Sequence, residues 1–72
     1  MRLRPALQLQ RLASLVKRKL LAWRRRWNLS QIQAATALRV TKRTIENWEQ
    51  GTRAPRGLAR DALLAKLQHP PP

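Results

Sequence analysis

Two neighbouring cations, Lys42 and Arg43, directly follow Thr41, a residue type that commonly precedes the first turn of a helix. In such a first turn the positive end of the helix dipole disfavours a cation by about 0.3 to 1 kcal/mol. Folding alone favours acids there, so the pair indicates an acceptor-rich ligand such as phosphate or a guanine edge. The alternative is a chance cluster in an Arg-rich chain, with Arg43 paired to Glu46 or Asn47 on a solvated face.

A short helix is predicted just before these cations. Ser30 and Gln33 have the capping-box spacing, in which each side chain bonds the other residue's free backbone amide. The helix should therefore begin at Gln31, and it should break within one or two residues at Arg39 and Val40.

The cations begin the next helix, predicted over Lys42–Gln50 with Thr41 as its N-cap. Gly51, which has no Cβ, should end it. Two short helices joined by a tight break, the second presenting cations and amides at its start, are typical of a helix-turn-helix that enters the major groove of DNA.

Two further helices are predicted to flank this pair. Apolar residues at steps of three or four indicate a first helix over about residues 7–27. Its stripe consists of Leu9, Leu12, Val16, Leu20, Trp23 and Trp27, with both tryptophans in the core or at an interface. A last helix should cover about residues 58–68, with Asp61 in its first turn and His69 at its solvated end. We therefore predict an all-α fold, a compact domain of four to five helices with an extended first helix.

The composition restricts the function. The chain has 72 residues, enough for one small domain, and carries 16 Lys and Arg against three acids, a net charge of +13. Residues 1–45 hold no acid at all, which favours a polyanionic partner. Without Cys, and with one His, we expect no metal, no cofactor and no enzymatic activity. The longest uncharged run is 12 residues, short of the ~20 of a membrane span, so we expect a cytoplasmic binding module with no membrane partner.

Several stretches together resemble a known family, the Cro/repressor-type (XRE-like) helix-turn-helix regulators. They are Leu29-Ser30-Gln31, Ala35, Thr44 to Gly51, and Pro55, within about residues 20–67. Within the family the chain is most similar to short antitoxin-type or phage-operon autorepressors. The resemblance implies a DNA-binding domain over residues 7–69 with its helix-turn-helix at about 30–50, preceded by a flexible basic arm over 1–6 and followed by a proline tail over 70–72.

The resemblance also implies roles for individual residues. Those expected at base edges are Lys42, Arg43, Thr44, Glu46 and Asn47. Those expected at phosphates are Gln31, Thr41, Gln50, Thr52 and Arg53. Structural roles are expected for Ser30, Ala35, Trp48, Gly51 and an ion pair of Glu49 with Arg24. Chemically, Lys42 or Arg43 suits guanine, Asn47 suits adenine and Glu46 suits cytosine. For Gln31 and Gln50 a purely structural role at a helix end is the alternative.

One residue departs from the family pattern. Arg39 stands between the two short helices, where the family usually has Gly. If this position is left-handed, Arg costs about 1 to 2 kcal/mol relative to Gly. In that case Arg39 reshapes the turn or strains it, and the placement of the following helix depends on which of the two occurs.

The beginning of helix 1 suggests a dimer. Family domains begin near Leu20, so residues 7–19 add about three turns. Their apolar side chains (Leu9, Leu12, Leu15 and Val16) find no partner within so small a core, and the last helix is apolar nearly all round. A two-fold homodimer through one or both segments would place two recognition helices ~34 Å apart and require a near-palindromic operator.

The function expected from these features is repression by occupancy of an operator in double-stranded DNA, with the chain's own operon as the target. Three alternatives stay open. Residues 7–27 alone match a cationic amphipathic helix at a membrane surface, but that hypothesis leaves the Ser30 and Thr41 caps unexplained. Nonspecific packaging of nucleic acid would need the charge alone. An antitoxin acting mainly through a toxin partner is compatible with DNA binding.

Overall fold

The architecture is known from a computed structural model that describes the backbone of residues 5–72 and the side chains of residues 11–72. It has four helices and, among the described residues, no strand: α1 (Pro5–Arg26), α2 (Gln31–Leu38), α3 (Lys42–Gln50) and α4 (Gly57–Lys66). The predicted all-α fold with an extended first helix is confirmed. Residues 1–4 of the predicted basic arm lie outside the described residues, whereas Pro5 and Ala6 belong to α1. Proline suits a first helical position because its missing N–H would have no partner there.

The core forms where α1 crosses the other helices. α1 packs against α3 and α4, and α2 packs against α3. The buried apolar residues are Val16, Leu20, Trp23, Ala34, Ala35, Leu38, Ile45 and Leu63. The partly buried side chains packed against them include Leu29, Val40, Trp48 and Leu67. Ala35 thus lies within the core and Trp48 packs against it, as their predicted structural roles require.

The expectation that the extension of α1 lacks partners within the chain was wrong for Val16. Its side chain is fully buried in the core of the same chain. Leu12 and Leu15 are half-buried, and the side chain of Leu9 lies outside the described residues. The predicted core left out the part of α1 that precedes Leu20, the position at which family domains begin. This part also contacts other elements of the chain.

Both tryptophans of the α1 stripe were expected in the core or at an interface, and they differ. Trp23 is buried, and its Nε1 donates a 2.7 Å hydrogen bond to the backbone oxygen of His69. Trp27 is 38% exposed, with the guanidinium of Arg26 5.3 Å from the centre of its ring. Trp27, which directly follows the end of α1, is therefore not a core residue, and only the interface part of that expectation stays a prediction.

Three helices end in the same way. Asn28, Arg39 and Gly51 follow α1, α2 and α3, and all three have positive φ, of 54°, 58° and 76°. After each of them the next backbone amide returns to a carbonyl five residues earlier, as Val40 N does to Ala35 O at 2.9 Å. Only Gly51 adopts this conformation without a Cβ penalty. The left-handed geometry considered for Arg39 is present, so the turn keeps the usual backbone and Arg39 bears the strain.

The predicted N-caps of the two short helices are also confirmed. Ser30 and Gln33 form both hydrogen bonds of the capping box. The Thr41 hydroxyl accepts a 3.1 Å bond from the amide of Thr44. These side chains satisfy backbone donors that a helix leaves without intrahelical partners, so each short helix has a defined first residue.

α4 is less firmly bounded. Its N-cap residue, Arg56, makes no side-chain capping bond, and the helix covers Gly57–Lys66 instead of the predicted 58–68. Asp61, expected in the first turn, lies one turn later, because the helix begins before Leu58. Among the described residues, no helix is both long and apolar enough to cross a bilayer.

Candidate nucleic-acid interface

One end of α3 is fixed by an ion pair with α1. Arg24 Nε and Nη2 donate to the two carboxylate oxygens of Glu49 at 2.7 and 3.0 Å, a bidentate geometry. Arg24 Nη1 also donates to the backbone oxygen of Leu29, at 3.1 Å. The Glu49 side chain is 8% exposed and that of Arg24 is 25% exposed. The predicted pairing is confirmed, and it joins α1, the segment before α2, and α3.

Gln31 completes this cluster. Its Nε2 donates to Glu49 Oε1 at 3.0 Å, so this oxygen of the buried acid has a second donor beside Arg24 Nη2. Gln31 was expected at a phosphate, with a structural role as the alternative, and the structure directs its side-chain amide toward Glu49. This bond was not predicted, because Gln31 and Glu49 belong to different helices and share no local pattern.

The outer face of α3 presents polar side chains. Ile45, Glu49 and the half-buried Trp48 face the core. The residues directed away from it recur at steps of three or four, and they are Lys42, Arg43, Glu46, Asn47 and Gln50. Four of the five residues expected at base edges therefore lie on one surface, together with Gln50. We call these five residues the α3 outer face.

The first turn of α3 retains the predicted electrostatic conflict. It contains no acid, and it begins with Lys42 and Arg43. Lys42 Nζ lies 3.9 Å from Glu46 Oε1, a long contact between two solvent-exposed groups. Among the described residues Arg43 has no carboxylate partner, so the proposed ion pair of Arg43 with Glu46 is not present. Arg43 is thus the exposed cation on this face that no acid compensates.

Thr41 and Thr44 are engaged with each other. Their hydroxyl oxygens lie 2.9 Å apart, in addition to the capping bond from the Thr44 amide. Thr44 is half-buried, whereas three of the five residues of the α3 outer face, Lys42, Arg43 and Gln50, are exposed. Thr41 therefore acts as a cap, and Thr44 lies at the edge of the outer face.

The loop after α3 is held by a single carbonyl. The backbone oxygen of Asn47 accepts from Thr52 N, Thr52 Oγ1 and Arg53 N, at 3.1, 3.2 and 3.4 Å. These bonds fix Thr52 and Arg53 beside the C-terminal end of α3, and the side chains of both are exposed. The loop thus adds a hydroxyl and a guanidinium beside the helix, in an orientation set by its backbone.

Two basic features near this loop were not predicted. A Cβ placed on Gly51 would lie 4.0 Å from Lys17 Cδ, so the Lys17 stem runs beside the end of α3. A cleft of about 550 Å³, here called the loop cleft, opens between α1, the loop and α4. Its lining includes Arg56, the N-cap residue of α4, and Arg60, one turn further along the same helix. Their position beside Leu12 and Ala13 could not be predicted from the sequence, because it depends on the packing of α4 against α1.

The assembled site therefore has a fixed support and an exposed, donor-rich surface. Lys and Arg donate to guanine O6 and N7 or to phosphate, and Asn and Gln form paired bonds with adenine. Exposed Thr hydroxyls and further guanidiniums suit phosphate oxygens. A nine-residue helix with such a face matches the dimensions of the DNA major groove.

Comparison with known proteins agrees with this geometry. Residues 20–59, more than half of the chain, match the profile of a helix-turn-helix family of the XRE type. The matched segment contains the second part of α1, all of α2 and α3, and the first residues of α4, and it leaves out residues 5–19 of α1. No match to the chain was found among curated proteins or among solved structures.

Proposed function

Since this chain belongs to the XRE-type helix-turn-helix family and is a DNA-binding transcription regulator, we propose that it represses its own operon by binding a palindromic operator as a dimer. The single observation that carries the proposal is Arg43, an exposed and uncompensated cation in the first turn of a helix whose caps and support are fully formed. A base edge or phosphate supplies the acceptor that the protein lacks at this position.

Sequence is read from the α3 outer face. Arg43 and Lys42 donate to guanine, Asn47 bonds adenine in a paired geometry, and Glu46 accepts from cytosine N4. Thr44, at the edge of the face, contributes its methyl group or hydroxyl. The direct contact of Lys42 with Glu46 is long and exposed, so it costs little to exchange for contacts with bases.

Register is set by phosphate contacts around this face. Arg53 provides them from the loop, Gln50 from the end of α3, and Thr41 from its start, and Thr52 joins them when its hydroxyl exchanges the bond to Asn47 O for a phosphate oxygen. Gln31, whose side-chain amide is held by Glu49, contributes as a positioned group and not as a mobile one. With roughly six to ten such contacts per dimer, affinity should fall about 10³- to 10⁵-fold between 50 and 200 mM salt.

The two-fold contact is assigned to α4. Leu58 is 87% exposed, and Ala62 and Ala65, four and seven residues later on the same helical face, are exposed as well. In contrast, the Val16 side chain of α1 is already buried within its own chain. An exposed apolar stripe on a small domain favours burial against a second copy.

The repressor acts where its operator lies, in the bacterial cytoplasm or on phage DNA within it. Occupancy of the operator excludes the transcription machinery, so the mechanism requires binding and positioning but no chemical step. Charge alone would retain DNA of any sequence, and the function therefore depends on discrimination by the α3 outer face.

Selection of binding sites from a randomised duplex pool at physiological salt tests the proposal. The expected result is an inverted repeat with half-sites centred ~34 Å apart, about one turn of DNA. An enriched single half-site would overturn the dimer and keep sequence-specific reading. Retention of DNA without any enriched motif would overturn the proposal in favour of nonspecific packaging.

The dimer has its own test in gel filtration with light scattering at micromolar concentration. We expect twice the 8.4 kDa chain mass for the unmodified protein and the chain mass for Leu58→Asp. Ile32→Asp is the matched control, because Ile32 is also an exposed apolar residue, 62% accessible, but lies on α2. A single 8.4 kDa species for the unmodified protein would contradict the dimer.

A further inference from the structure

The loop cleft has apolar side chains on its inside, here called its floor, and cationic side chains at its rim. Leu12 and Ala13 of α1 form one wall, and Ala54 and Pro55 of the loop form another. The rim carries three guanidinium groups, those of Arg53, Arg56 and Arg60. A phosphate backbone uses the cations but gains nothing from apolar side chains, so the floor indicates a ligand with apolar groups of its own.

The guanidinium groups of the rim are largely free to form ion pairs with acidic groups of a partner. The chain contains only three acids, and two of them, Glu46 and Glu49, contact Lys42 and Arg24. The third acid, Asp61, has Oδ1 3.6 Å from Arg60 Nε but is itself mostly solvated. Among the described residues, Arg53 and Arg56 have no carboxylate partner.

The cleft depends on the part of α1 that the family match leaves out. Leu12 and Ala13 precede residue 20, where the match begins. A domain that started there would lack this wall, and the loop would face solvent. The cleft is therefore a feature added to the matched domain, and the matched domain does not account for it.

We propose that the loop cleft binds an acidic segment of a protein partner, with one apolar side chain inserted between α1 and the loop. Charge complementarity carries the choice of occupant. A second copy of this chain, at +13 and with two of its acids already engaged, has no acidic segment to offer. The three rim guanidiniums come from a loop and a helix, so they match several carboxylates spaced along a peptide better than one small anion.

The same residues connect the cleft to DNA. Thr52 and Arg53 line the cleft, and under the proposed function they contact phosphate. A partner seated in the cleft then competes with the DNA backbone for Arg53 and lowers operator occupancy. This competition rests on the proposed function, whereas docking of the acidic segment does not.

Docking is tested by fluorescence anisotropy at physiological salt, with a labelled peptide that has a central leucine flanked on both sides by acidic residues. A peptide with alanine in place of the leucine has the same charge and serves as the control. We expect the leucine peptide to bind the unmodified protein about tenfold more tightly, because its side chain is buried on the floor. Equal binding of the two peptides would overturn the proposal and leave a nonspecific polyanion surface.

Protein variants locate the site. Arg56→Gln with Arg60→Gln should weaken binding of the leucine peptide about tenfold. Arg18→Gln with Arg25→Gln removes the same charge from exposed positions of α1 outside the cleft and should weaken it less than about twofold. Equal losses in the two double variants would overturn the assignment to the cleft. Arg56 makes no capping bond, so its replacement leaves the start of α4 unchanged.

Addition of the leucine peptide to the protein on its selected duplex tests competition. Release of the duplex is expected, and a stable ternary complex would overturn competition. The two proposals fail separately: an unenriched DNA pool with leucine-dependent peptide binding rejects the operator proposal alone, and an enriched motif with no leucine preference rejects the cleft proposal alone.

Discussion

The two ends of α3 differ in almost every physical respect. At the C-terminal end, Glu49 is buried, receives hydrogen bonds from Arg24 and Gln31, and is followed by Gly51 in an unstrained left-handed conformation. At the N-terminal end, Lys42 and Arg43 are exposed and oppose the helix dipole. The first end has its electrostatic partners within the protein, and the second has a capping hydroxyl but lacks a partner for its charge.

The difference separates folding from binding within one nine-residue helix. The ion pair with α1 holds the orientation of α3 before any ligand arrives, so little ordering entropy is lost when DNA binds. The charged first turn gains its main favourable partner only from the ligand. Substitutions at the C-terminal end should therefore change stability, and those at the N-terminal end should change binding.

The largest expected effect is on stability at the C-terminal end. Arg24→Met should lower the free energy of unfolding by about 3 kcal/mol, because Glu49 would stay buried with only Gln31 as a polar partner. Urea denaturation measures it. Arg25→Met, one residue further along α1 at an exposed position, should change stability by less than about 0.5 kcal/mol. Equal losses in the two variants would mean that the ion pair does not fix α3.

The next effect is on binding at the N-terminal end. Arg43→Ala should cost about 1 to 3 kcal/mol of affinity for the selected site and relax preference at one base pair, with stability unchanged or raised by up to ~1 kcal/mol. Titration of matched and mismatched duplexes measures both. Arg53→Ala should instead weaken all sequences alike and lower the salt slope by ~1. If sequence preference survived Arg43→Ala, the assignment of base recognition to Arg43 would be wrong.

A smaller effect is expected at the Thr41 cap, on which both the folding of α3 and its binding to DNA depend. Thr41→Ala removes the hydroxyl that accepts from the Thr44 amide and should cost about 1 kcal/mol of stability. Thr41→Ser keeps the hydroxyl and serves as the control, with an expected loss of only a few tenths of a kcal/mol. Comparable losses in thermal denaturation would show that the methyl group, and not the capping bond, is responsible.

The smallest effect concerns the turn that connects α2 to α3. Arg39→Gly should stabilise the domain by up to about 1 kcal/mol, because the left-handed conformation costs a residue with a Cβ more than it costs glycine, less the entropy that glycine adds to the unfolded chain. Arg39→Ala keeps the Cβ and should give no gain. A loss on Arg39→Gly in urea denaturation would show that the Arg39 side chain contributes contacts that outweigh the strain.

The local elements were predictable from the sequence to within about two residues. Ser30, Gln33 and Thr41 act through backbone groups only a few residues away, so their spacing alone specifies where α2 and α3 begin. The ion pair of Glu49 with Arg24 was also anticipated, by resemblance to the family. Burial of Val16, exposure of Trp27 and the bond from Gln31 to Glu49 were not, since each depends on how separate helices pack.

The same limit applies to the candidate site. Four residues of the α3 outer face were expected at base edges by resemblance to the family, and helical periodicity places them on one surface with Gln50. The loop cleft joins residues from α1, a loop and α4 that are up to 48 positions apart, as Leu12 and Arg60 are. No pattern within one element connects such residues, so the cleft could be found only in the folded chain.

The bond from Trp23 to the carbonyl of His69 has a consequence for how the protein is made. It closes a loop of 46 residues, and the core residue Leu63 also lies near the end of the chain. While residues 63–69 are still enclosed in the exit tunnel of the ribosome, Trp23 cannot yet gain either contact. The domain therefore completes its core only after the residues up to His69 have emerged from the tunnel, and before that moment the nascent chain exposes an unfinished apolar surface beside a strongly cationic one.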